Sequence, residues 1–117
     1  MEKQLNKLLD AIKADYTAHA RRWTTTDADK KQRIEDMITK HSAELGYKIG
    51  KKYIKITERN GGSAWGFVVN TDTDARFKRG DILKSAGFST PARNKARGNI
   101  IDENFSWVRW TGPEYLK

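Results

Sequence analysis

Apolar residues in the first 46 positions recur every three or four residues, which is the spacing of an amphipathic helix. The first group predicts a helix over residues 2–23, whose apolar face is made by Leu5, Leu8, Leu9, Ile12, Tyr16, His19 and Trp23. The second group predicts a helix from Thr26, a candidate N-cap followed by Asp29, to about Leu45, with Gly46 as its stop. Its apolar face would hold Ile34, Met37, Ile38, His41 and Leu45. Two helices joined by so short a turn are expected to pack as an antiparallel hairpin.

After Tyr47 the pattern changes to the alternation of a β-strand, with Ile54 and Ile56 on either side of Lys55. Asn60-Gly61-Gly62 predicts a hairpin, and residues 65–69 form the returning strand. Further short strands are predicted at residues 82–83 and 105–110. Thr90-Pro91 is typical of a helix start, so a short helix is expected over residues 91–97.

These elements predict an α+β fold, in which a helical hairpin over residues 1–46 precedes a small, mainly antiparallel sheet over residues 47–117. The pattern leaves two arrangements open: the hairpin packs on the sheet as one compact unit, or it projects from it. In either case the apolar helix faces need a partner, which is the sheet or a second copy of the chain.

Composition narrows the protein class. The chain has 117 residues, of which 37% are hydrophobic and 32% charged, as in one modest globular domain. No apolar run approaches the roughly 20 residues that span a membrane, and the first residues lack a signal-peptide core. We therefore expect an intracellular protein with no membrane partner. The absence of cysteine excludes disulfides, thiolate metal sites and cysteine nucleophiles.

The net charge of +8 is concentrated in the second half of the chain. Residues 1–46 carry nine basic and eight acidic groups, whereas residues 76–97 carry seven basic groups and one acidic group. Residues 47–59 add five basic groups and one acidic group. Such a distribution favours an anionic partner, and phosphate is the expected chemistry.

Candidate phosphate ligands lie in the segment between Arg76 and Asn99. If a helix begins at Thr90, its free N–H groups form an anion site, and Arg93 and Arg97 share one face of it. Asn99 would read a base edge or a ribose. The full candidate set is Arg76, Lys78, Arg79, Lys84, Thr90, Arg93, Lys95, Arg97 and Asn99. The lysines around Lys51 form a further basic group that either meets phosphate or protects a sheet edge.

Aromatic residues near these cations are candidates for stacking on bases. The candidates are Trp107, Trp110 and Phe77. Each can instead belong to the core, and for Phe77 this is the more common outcome. Trp107 and Trp110 have opposite parity, so a regular strand would place them on different faces.

Enzyme signatures are weak. No phosphate-binding loop, dinucleotide fingerprint or nucleophile elbow is present, and no catalytic residue, cofactor or metal is assigned. His19 and His41 lie on predicted helix faces and are expected at the edge of the core. Asp72-x-Asp74 and Asp27-x-Asp29 are acidic pairs too short to define a metal site.

The second half resembles a group of small accessory proteins of tailed bacteriophages. The resemblance is carried by Lys52–Ile56 (KYIKI), Gly80 to Lys84 (GDILK), Pro91-Ala92 and Ala96 to Ile100 (ARGNI), and covers roughly residues 47–117. It implies a phage-encoded protein acting in the cytoplasm of the bacterial host. It brings no established activity, but proteins in that position bind nucleic acid, inhibit a host protein or blunt host defence.

Three functions follow as hypotheses. The first is a non-enzymatic binder of nucleic acid through the basic loops. The second is a nucleotide-binding sponge that sequesters a defence signal, with Arg93 or Arg97 on phosphate and Trp107 or Trp110 on the base. The third is an inhibitor that docks a host protein, or a second copy of itself, through the helical hairpin.

Overall fold

The computed structural model describes residues 1–22 and 26–113, and within them two helices precede an antiparallel sheet. The predictions for Trp23, Thr24, Thr25 and residues 114–117 lie outside the described residues. Helix α1 spans Glu2–Ala20 and helix α2 spans Ala28–Glu44. The N-cap of α2 is Asp27 and not Thr26 as predicted, because the Asp27 carboxylate accepts the backbone N–H groups of Asp29 and Lys30.

The two helices differ in how deeply they are buried. The amino-terminal half of α1 places Leu5, Leu8, Leu9 and Ile12 in the main hydrophobic core, where Leu8 is 0% exposed. In α2, all of which is described, no residue is buried, and Met37 is 53% exposed. The apolar packing of the helices is therefore concentrated in the first half of α1. The molecule measures 54 × 28 × 26 Å along its principal axes.

Every strand pair in the described part of the chain is antiparallel. The main sheet has the order β1-β2-β3-β4-β5, and β6 also pairs with β4. A separate pair joins β7 to β8. The strands are β1 (Gly46–Ile49), β2 (Tyr53–Glu58), β3 (Ser63–Val69), β4 (Asp81–Gly87), β5 (Thr90–Pro91), β6 (Gly98–Asn99), β7 (Val108–Arg109) and β8 (Gly112–Pro113).

The hairpin predicted at Asn60 joins β2 to β3. Arg59 and Asn60 have φ of 54° and Gly61 has φ of 87°, so three successive residues take the left-handed conformation. Asparagine and glycine tolerate that conformation best, which is why this sequence reverses the chain here. Gly46 does not simply end α2; it begins β1, a strand that the sequence pattern did not predict.

Strand alternation gives the sheet two different faces. Ile54 and Ile56 join the main core beneath α1, on what we call the helix-side face. The neighbouring residue Tyr53 packs in a second cluster on the opposite side, which we call the loop-side face. The buried residues of that second cluster are Phe67, Val69, Phe77 and Leu83. Phe77 comes from the loop between β3 and β4, so this loop covers part of the loop-side face.

The helix predicted over residues 91–97 is absent. Thr90–Pro91 forms β5, and Pro91 pairs with Ser85 of β4. The backbone N–H groups of Ala92 and Arg97 then donate to the carbonyls of Lys84 and Ile82 at 2.7 and 2.8 Å. Because β4 takes these donors, residues 92–97 form an arch attached to the sheet edge at both ends.

The predicted final strand over residues 105–110 is also wrong in its extent, since only Val108–Arg109 is extended and paired. The short β7 pairs with β8 and contacts α1, so this region closes the main core rather than extending the sheet. No helix in the described ranges is long and apolar enough to cross a membrane.

Candidate nucleic-acid interface

Asp74 organises the loop between β3 and β4. Its carboxylate accepts the backbone N–H groups of Arg76 and Phe77 at 2.9 and 3.0 Å. It also accepts hydrogen bonds from both terminal nitrogens of Arg93 at 2.9 and 3.0 Å. The Asp74 side chain is only 9% exposed. The Arg93 guanidinium, helped by the two backbone N–H groups, holds the pKa of Asp74 well below its ordinary value of 3.8. The arch is thereby fixed over the loop.

Two arginines and two aromatic rings meet at this junction. Arg93 donates to the hydroxyl of Tyr53, and its guanidinium lies 5.0 Å from the centre of the Phe77 ring. Arg76 lies 5.6 Å from the same ring and donates to the carbonyl of Asn94 in the arch. Both guanidiniums therefore sit at cation–π distance from one buried ring.

Arg79 connects the same loop to the turn between β1 and β2. Its guanidinium donates to both oxygens of Asp72 at 3.0 and 3.3 Å and to the Asn70 side-chain oxygen at 2.9 Å. The Asn70 side-chain amide donates to the Gly50 carbonyl at 2.9 Å, and the Asn70 backbone N–H donates to the Lys52 carbonyl at 2.7 Å. The hydrogen bonds from Arg79 lower the pKa of Asp72. Lys51 and Lys52 are thus held at the same end of the sheet as the arginines.

Three segments therefore meet at one end of the loop-side face: the β1–β2 turn, the β3–β4 loop and the arch. We call their charged residues, together with Lys55 of β2, the basic cluster. Its cations are Lys51, Lys52, Lys55, Arg76, Lys78, Arg79, Arg93 and Lys95; Arg97 of the arch is buried and is not counted among them. Its anions are Asp72 and Asp74. The neighbouring carboxylate of Asp81, at the start of β4, is buried and accepts hydrogen bonds from the Lys78 N–H and from Asn99. The cluster keeps a large positive excess.

The carboxylates of Asp72 and Asp74 form ion pairs with two members of the cluster, Arg79 and Arg93. Arg79 and Arg93 have their guanidinium groups committed to Asp72, Asn70, Asp74 and Tyr53. The exposed lysines and Arg76 carry the charge that projects to solvent; these lysines are Lys51, Lys52, Lys78 and Lys95. Arginine fixes the geometry of the cluster, and lysine supplies most of its outward charge.

Arg97 and Asn99 lie inside the molecule. Arg97 is 3% exposed and donates to the Asn94 side-chain oxygen at 3.5 Å. Asn99 donates to the Arg79 carbonyl and to Asp81 at 3.1 and 2.9 Å, and it accepts the Ile101 N–H at 2.8 Å. Without the helix expected at residues 91–97, Arg93 and Arg97 do not share a helix face. Asn99 therefore supports the loop from beneath, and Arg97 contacts the arch.

Lys84 and Thr90 lie apart from the cluster. Lys84 follows Leu83 in β4, and strand alternation therefore directs it away from the loop-side face. Thr90 is exposed in β5 and pairs with Gly87, so its N–H group is not part of a helix start.

Two of the three predicted stacking residues lie away from the basic cluster, and the third, Phe77, is buried within it. Trp107 packs tightly over Gly98, where a Cβ would lie 2.4 Å from the indole, and it borders the main core. Trp110 contacts Tyr16 and His19 of α1 at ring distances of 5.2 and 5.0 Å. Phe77 is buried beneath the two arginines.

Phe88 is the exposed aromatic residue that sequence reasoning missed. It lies between β4 and β5 and is 54% exposed, and the Lys55 ammonium sits 3.5 Å from the centre of its ring. The small residues around it, Ala86-Gly87 and Ser89-Thr90, are typical of a hairpin tip and could have indicated that its side chain stays at the surface.

A second concave site lies on the helix side, between α2 and the β2–β3 hairpin. It is a cleft of about 430 Å³ lined by residues that include Tyr16, Lys40, His41, Arg59 and Trp110. His41 stacks flat on Tyr16 at 3.9 Å, and its Nε2 lies 2.9 Å from Glu58. His41 is thus a half-buried packing residue held by two partners.

No group of three or more His, Asp or Glu side chains in residues 1–22 and 26–113 is placed to hold a metal ion. The acidic pair Asp72 and Asp74 is occupied by arginine instead. Comparison of the chain with protein-family models, with curated proteins and with solved structures found no match.

Proposed function

We propose that this protein binds nucleic acid through the basic cluster, without catalysis. The observation that carries the proposal is the meeting of three separate basic segments at one end of one sheet face. Ion pairs with Asp72 and Asp74 neutralise only part of that charge. A phosphate backbone is the extended polyanion that complements such a surface.

The ion pairs assign different tasks to the cations. Arg79 and Arg93 hold the loop and the arch in place, since their donors already have acceptors in the protein. The exposed lysines and Arg76 would make the phosphate contacts. Lysine suits this role because its compact charge meets phosphate without a fixed geometry and without base selectivity.

Charge reversal at the β1–β2 turn tests the proposal. We expect Lys51→Glu with Lys52→Glu to weaken binding of an oligonucleotide by about tenfold or more at low salt, because attraction to two phosphates is replaced by repulsion. The slope of log K against log salt should also become shallower, by roughly 0.7 for each phosphate of a single strand that the variant no longer neutralises. Fluorescence anisotropy at several salt concentrations measures both quantities.

The matched control is Lys30→Glu with Lys31→Glu in the exposed first turn of α2, which changes the net charge equally. Binding by this variant should change much less than binding by the first. Equal weakening by the two variants would show that net charge alone acts, and the absence of wild-type binding at low salt would refute the proposal.

The resemblance of residues 47–117 to tailed-phage accessory proteins supports a biological setting. We propose that the protein acts in the cytoplasm of a bacterial host during phage infection, in host takeover or counter-defence. We also infer that α1 and α2 form an antiparallel hairpin, since Tyr16 contacts His41 while the later residue Arg21 contacts the earlier residue Glu35.

The helix-side cleft supports a second candidate function, the binding of a small nucleotide. Tyr16 and Trp110 provide aromatic walls at right angles, and Lys40 and Arg59 provide positive charge beside the carboxylates of Glu44 and Glu58. Its volume of about 430 Å³ suits a ligand of that size. Arg93, Arg97 and Asn99, expected at such a site, take part instead in the loop and arch contacts described above.

A further inference from the structure

We infer that the β4–β5 tip is a nucleobase-stacking subsite, which makes the protein select single-stranded over duplex nucleic acid. The inference rests on the proposed function and adds the substrate class. It is carried by two observations, an exposed phenylalanine in cation–π contact with a lysine and a shallow hollow beside it.

Phe88 has the geometry of a stacking platform. The residue is more than half exposed, and the Lys55 ammonium lies 3.5 Å from the centre of its ring, over one face. Lys55 lies in β2, distant in sequence, so the contact holds the tip down over the loop-side face. A base stacked on the ring would gain dispersion and hydrophobic contact, while the same ammonium lies near enough to serve the neighbouring phosphate.

The hollow beside Phe88 has a volume of about 340 Å³. Apart from Phe88, its walls are small residues: Gly62, Ser63, Ala64, Ser85, Ala86 and Gly87. A Cβ built on Gly87 would meet nothing within 4 Å, so this side of the hollow is open. A flat base fits a shallow site with short walls and one aromatic side better than a bulky side chain does.

The subsite and the basic cluster lie on the same face of the sheet. Lys55 pairs with Phe67 across β2 and β3, and Tyr53, two residues earlier on that face, contacts Arg93. A strand laid along β2 would therefore meet the cluster with its phosphates and the tip with a base. In a duplex the bases are paired and stacked inside, so Phe88 would have no base face to meet.

The test compares three oligonucleotides of equal length: single-stranded oligothymidine, an abasic strand with the same phosphates, and a duplex. We expect Phe88→Ala to weaken oligothymidine binding by about 5- to 150-fold, as base–aromatic stacking predicts. Binding of the abasic strand and the duplex should stay at the wild-type level. The salt slope for oligothymidine should not change, because every phosphate contact is kept.

Two further variants separate stacking from packing. Phe88→Leu keeps an apolar side chain without a π-face and should bind oligothymidine as weakly as Phe88→Ala. Phe88→Trp keeps an aromatic face and should bind oligothymidine as tightly as the wild type. Equal weakening for all three ligands, or unchanged binding of oligothymidine, would overturn the subsite while leaving the proposed function standing. If the wild-type protein binds none of the three at low salt, the proposed function fails and the subsite with it.

Discussion

Single residues beneath the basic cluster explain why its loop has a fixed shape. Gly80 has φ of 90°, and a Cβ there would lie 2.7 Å from the Asn99 side-chain oxygen and 2.9 Å from Ile101. Asp81 accepts from Asn99, and Gly98 lies directly under Trp107. The Gly80-Asp81 and Gly98-Asn99 pairs therefore support the loop from inside the molecule.

Asp74→Asn tests the carboxylate that links the loop to the arch. Because the pKa of Asp74 is lower in the folded protein than its ordinary 3.8, ionised Asp74 stabilises the fold above about pH 3.8. That contribution is lost as the pH falls further, toward the depressed folded value. We expect the variant to unfold at a lower urea concentration than the wild type at neutral pH, with the difference shrinking in acid.

Asp72→Asn is the matched control, since the Asp72 side chain is 76% exposed and its pair with Arg79 is screened by solvent. Its effect on the urea midpoint should be smaller than that of Asp74→Asn at neutral pH. If the urea midpoints of the wild type and Asp74→Asn differed by the same amount from neutral to strongly acidic pH, the role assigned to the Asp74 carboxylate would be contradicted.

At the scale of secondary-structure elements, α1 and α2 are expected to contribute differently to the stability of the fold. Leu8 is fully buried against the sheet, so Leu8→Ala should lower the free energy of unfolding by about 2–5 kcal/mol. Met37 occupies a similar apolar position in α2 but is mostly exposed, so Met37→Ala should change it by no more than about 0.5 kcal/mol. Urea titration followed by tryptophan fluorescence compares them, and equal decreases would contradict the packing described.

The helices and the Asn60 hairpin were predictable because their signals are local. Apolar spacing of three and four identifies α1 and α2, but Leu8 and Met37 satisfy it equally, so the pattern cannot say which face the sheet covers. The Thr90-Pro91 helix was wrongly predicted for a related reason. Its local cap signal is outweighed by hydrogen bonds from Ala92 and Arg97 to β4, which only the tertiary fold brings near.

The sequence predicted which segments of the site are rich in cations but not how those cations are arranged in space. The sequence indicates where cations are concentrated, and the structure brings Arg76, Arg79 and Arg93 to one end of the sheet. The ion pairs of Arg79 and Arg93 depend on Asp72 and Asp74, which lie 7 and 19 residues away in the sequence. Phe88 carries no charge and belongs to no motif, so charge analysis passed over it.

At the scale of the whole molecule, the net charge of +8 is unevenly distributed between the helices and the two faces of the sheet. The helical half is nearly neutral, the loop-side face holds the basic cluster and Phe88, and the helix side holds the cleft with Trp110. A polyanion and a small nucleotide would therefore occupy opposite sides of the sheet. Locating the bound ligand separates the two candidate functions.

The most direct measurement is a titration of the ¹⁵N-labelled protein with oligothymidine, followed by backbone amide chemical shifts. The account predicts changes concentrated in the β1–β2 turn, the β3–β4 loop, the β4–β5 tip and the arch, with α2 unaffected. Changes concentrated instead around Tyr16, Lys40 and Arg59, or spread evenly over all exposed lysines, would contradict it.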